Sequence, residues 1–123
     1  MRVKEGLVPF QEYAPYPLIL PRISPVGIDF QFSPRENNRE VFTSSNHLKT
    51  AAIICYEVVF NRIIYEAARN GAQAFFVMLN EGWYESEKVP RQFLQLSIIK
   101  AIETRRSIAH ASNLGISAFI NQR

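Results

Sequence analysis

The apolar pattern is densest in one stretch, TAAIICYEVV from Thr50, which organises the prediction for the whole chain. The unbroken apolar run Ala51–Cys55 is typical of a strand buried on both faces of a parallel sheet. The run ends at the chain's only cysteine, and polar Tyr56 and Glu57 follow directly. Because open α/β sheets bind ligands outside the carboxyl ends of their strands, Cys55 is a candidate nucleophile. The alternative stays open, since an unpaired cysteine often serves as a small buried hydrophobe.

Further short apolar runs with flanking turn residues predict four more strands. They are Glu40–Ser44, Ala74–Leu79, Ser107–Ser112 and Ile116–Ile120. Between them the pattern changes to helical spacing, so from the cysteine strand onward the order is strand, helix, strand, helix, strand, strand. This order predicts an α/β sheet with at least one right-handed crossover.

The two helices are delimited by ordinary start and stop signals. The first is predicted to begin with Asn61 as its N-cap and to stop at Gly71. Its expected buried face consists of Ile63, Ile64, Ala67 and Ala68. The second is predicted to start near Pro90, which suits a first helical position. Its expected buried face consists of Leu94, Ile98, Ala101 and Ile102.

The two ends of the chain predict a piece of a larger domain. Residues 11–34 are proline-rich and irregular, yet too apolar for a flexible linker, and this favours a functional loop. Only two helices are available to cover a sheet of about five strands, whereas doubly covered sheets need both faces packed. Residues 1–123 are therefore expected to be part of one domain that is incomplete at both ends.

Composition excludes several classes of function. An apolar share of 47% over 123 residues is normal for one globular domain. A single cysteine excludes an internal disulfide framework, and its distance in sequence from both histidines argues against a zinc site. The net charge of +3 comes from scattered residues, so no nucleic-acid partner is expected. No apolar run in the sequence is long enough to span a membrane, and no cofactor is expected.

Four polar residues that follow or close apolar segments are candidates for chemistry: Lys4, Glu12, Cys55 and Glu57. A thiol becomes a good nucleophile when it is ionised, and a nearby cation favours ionisation. Lysine supplies such a cation and can stabilise an oxyanion together with the backbone N–H of Tyr56. A carboxylate can hold the lysine or shuttle protons. For each residue the ordinary alternative is a surface charge or a core cysteine.

Five ordered motifs resemble the apolipoprotein N-acyltransferases. The segment from Lys4 to Pro15, KEGLVPFQEYAP, is similar to their lysine motif, and Ile54–Glu57 matches their cysteine motif. The segment Asn80–Tyr84 is similar to their N-D-x-W segment, although Glu81 replaces the usual aspartate. The order continues through Pro90, Gln92, the Ala101–Arg106 segment and the Ser112–Ser117 segment. Each motif alone is weak, and their order is the stronger signal.

The resemblance implies a nitrilase-like (carbon–nitrogen hydrolase) αββα sandwich with a Glu-Lys-Cys triad. Cys55 would take a fatty acyl chain from a phospholipid as a thioester, which the amine of a diacylglyceryl-cysteine lipoprotein would attack. Lys4 would stabilise the oxyanion and Glu12 would orient Lys4. Tyr56 and Glu57 would support the cysteine, and Trp83 would lie near the substrate entrance.

The resemblance also implies that a preceding segment is needed for activity, and it implies where the full-length protein resides. The family's membrane helices and base glutamate lie in a segment before this one, so residues 1–123 alone are expected to be inactive. The full-length protein would reside in the bacterial inner membrane with its catalytic domain on the periplasmic side. Three alternatives stay open: a soluble amide or nitrile hydrolase of the same superfamily, a non-catalytic interaction module, and an inactive truncated remnant.

Overall fold

A five-stranded mixed sheet organises the fold. The computed structural model describes residues 41–82, 84, 86 and 88–122. The strands lie in the order β1-β2-β3-β4-β5, which is also their order along the chain. Their bounds are Val41–Thr43 for β1, Lys49–Ile54 for β2, Ala74–Leu79 for β3, Ser107–Ser112 for β4 and Ala118–Ile120 for β5. The predicted α/β class is confirmed, and β5 is shorter than the predicted Ile116–Ile120.

The three central strands run parallel, so their carboxyl ends meet at one edge. Ile54 of β2 pairs with Met78 of β3, and Leu79 of β3 pairs with Ser112 of β4. The outer strands β1 and β5 are both antiparallel to their neighbours. Helix α1, Asn61–Arg69, connects β2 to β3, and helix α2, Lys88–Thr104, connects β3 to β4. These crossovers leave the loops after β2, β3 and β4 side by side.

Both helices cover the same face of the sheet. Alternate strand residues Ile53, Phe75, Val77 and Ile108 are buried in one core with Ile64 and Ala101 of the helices. The other face carries Phe76 and Met78, each nearly half exposed. In β2, for which burial on both faces was predicted, Ala51 and Ile53 are buried and Ala52 and Ile54 on the other face are half-buried, because both crossover helices pack on one side. None of the described helices is long and apolar enough to cross a membrane.

Helix α1 follows the sequence prediction except at its first residue. Ile63, Ile64 and Ala67 are buried, and Ala68 is half-buried against the same core. Gly71 follows the helix with a φ of 95°, a conformation that glycine adopts without steric cost. The N-cap is Phe60, not Asn61. The side chain of Asn61 accepts a hydrogen bond from Lys100 Nζ at 2.5 Å, so it binds α2 instead of capping its own helix.

Helix α2 buries a different face from the one predicted. The buried residues are Phe93, Ser97, Lys100 and Ala101, while Ile98 and Ile102 are 40% and 60% exposed. Polar partners on neighbouring elements account for this choice. Ser97 is hydrogen-bonded to His110 of β4, and Lys100 bridges to α1 and to Glu103, whose carboxylate lies 2.7 Å from Nζ. Of the four predicted positions only Ala101 is fully buried. The prediction failed at the others because the spacing of apolar residues carries no information about polar partners on other elements.

Candidate active site

The strand-to-helix turn after β2 presents Cys55 in a strained conformation. Strand β2 ends at Ile54, and Cys55 begins a short 3₁₀-helix, Cys55–Val59. The φ of Cys55 is 53°, in the left-handed region, which costs a non-glycine residue about 1–2 kcal/mol. The thiol is free and half-buried. The prediction that Cys55 stands at the carboxyl end of a central strand is confirmed, and its backbone strain is typical of functional positions.

The side chain of Glu57 fixes the backbone of this turn through a hydrogen bond. The residue is fully buried, and its Oε2 accepts a hydrogen bond from the backbone N–H of Ile54 at 2.7 Å. This bond spans Cys55, so the carboxylate fixes the backbone on the amino-terminal side of the strained residue. This bond matters for the turn because its loss would leave a buried backbone donor without a partner. Glu57 is therefore part of the internal framework of the turn and not a surface glutamate.

Tyr56 packs the turn against the helices. Its ring makes edge-to-face contacts with Phe60, at 5.7 Å between centroids, and with Phe93 of α2, at 6.4 Å. Tyr84 meets the same Phe93 ring at 6.0 Å. Aromatic pairs in such geometry add about 0.5–1.5 kcal/mol each beyond area burial. The residue after the cysteine thus contacts the helix layer.

A pocket of about 410 Å³ lies beside Cys55, where the three parallel strands end. Its apolar lining comes from Ile54, Met78, Leu79 and Ala111, and its polar lining from Asn80, Ser112 and Asn113. The volume is within the range of about 300–1,000 Å³ that is usual for small-molecule sites. A mostly apolar cleft with a few convergent polar groups and a thiol suits an apolar substrate that reacts at one polar atom.

Two asparagine side chains are joined at the rim of this pocket. Asn113 Nδ2 donates to Asn80 Oδ1 at 2.7 Å, and Asn113 Oδ1 accepts from the backbone N–H of Glu81 at 2.9 Å. Asn80 Oδ1 also accepts from the N–H of Gly82 at 3.3 Å. These residues were not among the predicted site residues. The signal that could have found them is the one used for Cys55, since each follows a parallel strand.

The remaining predicted site residues lie outside the described part of the chain. Lys4 and Glu12 precede residue 41, and Trp83 falls in a gap in the described residues. Their proposed roles in oxyanion stabilisation, lysine orientation and substrate entry stay predictions. The described residues therefore show the candidate nucleophile Cys55, the turn that carries it and one wall of the neighbouring pocket.

His110 lies on the helix-covered face of the sheet, in register with Val77. It is buried, and its Nδ1 is 2.8 Å from the hydroxyl of Ser97. Among the described residues its Nε2 has no hydrogen-bond partner. Burial lowers the pKa of His110 below its ordinary value, and the nearby Glu81 carboxylate opposes this effect. The described contacts therefore place the side chain of His110 between the sheet and α2.

We expect the stability of the protein to depend on pH through His110. The unfolded histidine takes up a proton near its ordinary pKa of about 6.5, while the folded one resists protonation. The contribution of the neutral, buried His110 to the free energy of unfolding is therefore fully present above that pH. Below it the free energy of unfolding falls, by at most about 1.4 kcal/mol per pH unit. Urea titrations at pH 7.5, 6.5 and 5.5 measure this dependence. His110→Gln should flatten the dependence, and an unchanged slope in that variant would contradict the assignment.

Comparison with known proteins agrees with the geometry of the turn and the sheet. A model of the carbon-nitrogen hydrolase family matches residues 11–122. The chain belongs to the carbon–nitrogen hydrolase family. Among relatives in this family, a protein named apolipoprotein N-acyltransferase from Chlorobaculum tepidum is 34% identical over 94% of this chain. A protein of the same name from Allorhizobium ampelinum is 34% identical over 98%. The chain spans about a quarter of these relatives, 23% of each.

Solved structures of the nitrilase superfamily share this fold. Saccharomyces cerevisiae Nit3, a member of branch 10 of the superfamily, aligns with a TM-score of 0.64 at 21% identity. The alignment covers 78% of this chain and 37% of Nit3. An amidase from Nesterenkonia sp. AN1 aligns with a TM-score of 0.54 at 25% identity, covering 75% of this chain and 34% of the amidase. That structure is of a mutant of the amidase and shows covalent addition of the acetamide moiety of fluoroacetamide at the active-site cysteine. The predicted partial nitrilase-like fold and family resemblance are confirmed.

Proposed function

We propose that this chain carries the nucleophile of a lipoprotein N-acyltransferase. Cys55 takes a fatty acyl chain from a phospholipid and passes it to the N-terminal amine of a diacylglyceryl-cysteine lipoprotein. The observation that carries the proposal is the strained, free thiol of Cys55 at the edge of a mostly apolar pocket. The names of the relatives that match nearly the whole chain support the same reaction.

The proposed reaction has two steps, each through a tetrahedral oxyanion. In the first, the thiolate of Cys55 attacks the ester carbonyl of the phospholipid, a C–S bond forms, and the lysophospholipid alkoxide leaves and takes a proton. In the second, the lipoprotein amine attacks the thioester, a C–N bond forms, the C–S bond breaks, and the amine loses a proton. Cys55 is thereby regenerated as a thiolate. No metal or redox partner takes part in this balance.

Supporting roles follow from contacts and from the family motifs. Glu57 holds the backbone before Cys55, and Tyr56 packs the turn against α2. We assign oxyanion stabilisation to Lys4 and to the backbone N–H of Tyr56, and orientation of Lys4 to Glu12. Trp83 is assigned to the substrate entrance. The general base is assigned to a glutamate that precedes residue 1.

The partners of the proposed reaction are lipids and a lipidated protein. We place the catalytic domain on the periplasmic side of the bacterial inner membrane, attached through helices outside residues 1–123. Residues 1–123 form one part of that domain, and the exposed sheet face around Phe76 packs against its second sheet, while Met78 at the end of β3 lines the pocket beside Cys55. Burying this apolar face against another sheet removes it from water, which is the dominant stabilising effect in folding.

Amide hydrolysis is the second candidate function. It is favoured by the likeness to the Nesterenkonia amidase, which carries a reactive active-site cysteine. Both reactions begin with attack of a thiolate on a carbonyl, so the described part of the chain is compatible with either. They differ in the acyl donor and in what attacks the thioester, which is an amine in one and water in the other.

The decisive experiment supplies both kinds of substrate. The complete gene product that contains residues 1–123 is incubated with phospholipid and a diacylated lipopeptide, or with a series of small aliphatic amides. We expect triacylated lipopeptide by mass spectrometry and no ammonia release from the amides. A parallel arm places residues 1–123 into the matching part of the Chlorobaculum tepidum relative, with the unmodified relative as control.

The outcomes separate the candidates. Triacylation by the gene product or by the chimera supports the acyltransferase. Ammonia release without triacylation would replace it with amide hydrolysis. Neither product from a folded chimera, while the unmodified relative is active, would identify the segment as an inactive remnant.

A further inference from the structure

Glu81 belongs to the loop after β3, and its buried carboxyl group lies against the turn between β4 and β5. It is only 2% exposed, and the hydroxyl of Ser112 donates a hydrogen bond to its Oε2. The same hydroxyl accepts the backbone N–H of Gly115 at 2.8 Å. A Cβ on Gly115 would overlap Oε2 of Glu81 and lie 2.7 Å from the Ser112 hydroxyl oxygen. The carboxyl group therefore occupies the space that a side chain at position 115 would need.

The backbone of Glu81 is tied to the pocket wall beside Cys55. Its N–H donates to Asn113 Oδ1, and the amide of Asn113 donates to Asn80. Both asparagines line the pocket, as does Ser112. One residue thus bonds through its carboxyl group to the β4–β5 turn and through its backbone to the pair of amides. Any shift of Glu81 must move this wall.

A role in stability alone does not account for a carboxyl group in this place. Burying such a group is costly unless all its polar atoms are paired. Among the described residues Oε1 of Glu81 has no hydrogen-bond partner. An apolar side chain of similar volume would fill the same space without that cost. What the carboxyl group adds is a directional bond that permits one arrangement of the turn.

We propose that Glu81 is a positioning residue for the pocket beside Cys55. It acts through Ser112 and the Asn80–Asn113 pair, and it fixes the pocket wall that these three residues form beside Cys55. Glu81 does not touch the reacting atoms. The proposal concerns the pocket and holds for acyl transfer and for amide hydrolysis alike, provided that Cys55 is the nucleophile.

The test compares a small and a long probe of the same reactivity. N-ethylmaleimide and N-dodecylmaleimide carry the same thiol-reactive ring, and we expect only the dodecyl chain to need the pocket; addition to Cys55 is followed on its peptide by mass spectrometry. The variants are Glu81→Ala, Glu81→Gln, Gly115→Ala and the double Glu81→Ala/Gly115→Ala. Ser117→Ala is the matched control, because the Ser117 hydroxyl bonds only the backbone of Ser112 among the described residues. Each variant is made in the complete gene product, with its melting temperature recorded.

We expect the dodecyl-to-ethyl rate ratio to fall about fivefold or more in Glu81→Ala and in Gly115→Ala, since small displacements at a site have large kinetic effects. The loss in the double variant should be smaller than the sum of the two single losses, because the alanine methyl no longer meets a carboxyl group and its remaining close contact is with the Ser112 hydroxyl. Glu81→Gln should retain the ratio, since its amide oxygen still accepts from Ser112. Ser117→Ala should leave it unchanged. For phospholipid we expect a higher KM with little change in kcat.

Three results would overturn the proposal. They are an unchanged ratio in Glu81→Ala, full additivity in the double variant, and rates for both probes that change in proportion with the melting temperature. If Glu81→Ala does not fold, the contrast between Gly115→Ala and Glu81→Gln decides in the same way. Absence of acyl transfer in the unmodified protein would refute the proposed function. The dodecyl-to-ethyl rate ratio would still test whether Glu81 positions the pocket.

Discussion

Cys55→Ala is expected to abolish lipopeptide acylation, with a loss of roughly a thousandfold or more, as for other nucleophile deletions. The physical reason is that no other thiol exists in residues 1–123 to form the thioester. Removing one sulfur from a half-buried position leaves a small change in packing, so the melting temperature should stay within a few degrees. Alanine carries a Cβ as cysteine does, so the cost of the positive φ at position 55 stays close to that in the parent protein.

Cys55→Ser separates chemistry from shape. A serine hydroxyl fits the same space and is far less ionised than a thiol, so we expect the same loss of activity with an unchanged fold. The measurement is the initial rate of triacylated product together with thermal melting of each variant. Normal activity in Cys55→Ala would show that the cysteine is a core residue and that another group is the nucleophile.

Glu57→Ala is expected to have the second large effect, on both stability and reactivity. It removes the acceptor of the Ile54 N–H in a fully buried place and leaves a cavity. An unsatisfied buried donor costs about 1–3 kcal/mol, and the cavity adds to that. Because the bond spans the strained Cys55, the thiol should also lose its fixed position. We expect the rate of acylation to fall about a hundredfold, which a displacement near 1 Å can produce.

Two controls accompany the Glu57 variant. Glu57→Gln keeps an oxygen that can accept from Ile54, so its loss of stability should be smaller than that of alanine. Arg62→Ala removes the exposed partner of an ion pair with Glu66 that spans 3.7 Å, which is worth about 1 kcal/mol or less. Urea titration and the acylation rate are measured together. Equal effects of Glu57→Ala and Arg62→Ala would show that Glu57 has no special role in the turn.

The location of Cys55 could be predicted because two independent rules agree there. An apolar run that ends in polar residues marks a strand end, and parallel strands place their carboxyl ends at one edge. The bounds of β3 and β4 were predicted correctly for the same reason, since both are short apolar runs between clear turn signals.

The buried face of α2 and the N-cap of α1 could not be predicted from apolar spacing. Ser97 and Lys100 face inward because His110 and Asn61, on other elements, offer them hydrogen bonds. Similarly, the burial of Glu81 depends on Ser112, 31 residues later in the chain. Single-sequence patterns carry periodicity and local caps but not pairings between distant polar residues. Lys4, Glu12 and Trp83 stay predictions that rest on the family motifs.

The most direct test of the central claim is to look for the acyl-enzyme itself. The complete gene product is incubated with phospholipid that carries an isotope-labelled acyl chain and without any acceptor, then digested and analysed by mass spectrometry. We predict a labelled acyl group on the peptide that contains Cys55, released by neutral hydroxylamine as expected of a thioester, and absent in Cys55→Ser. An unlabelled Cys55 peptide in a preparation that still produces triacylated lipopeptide would contradict the account.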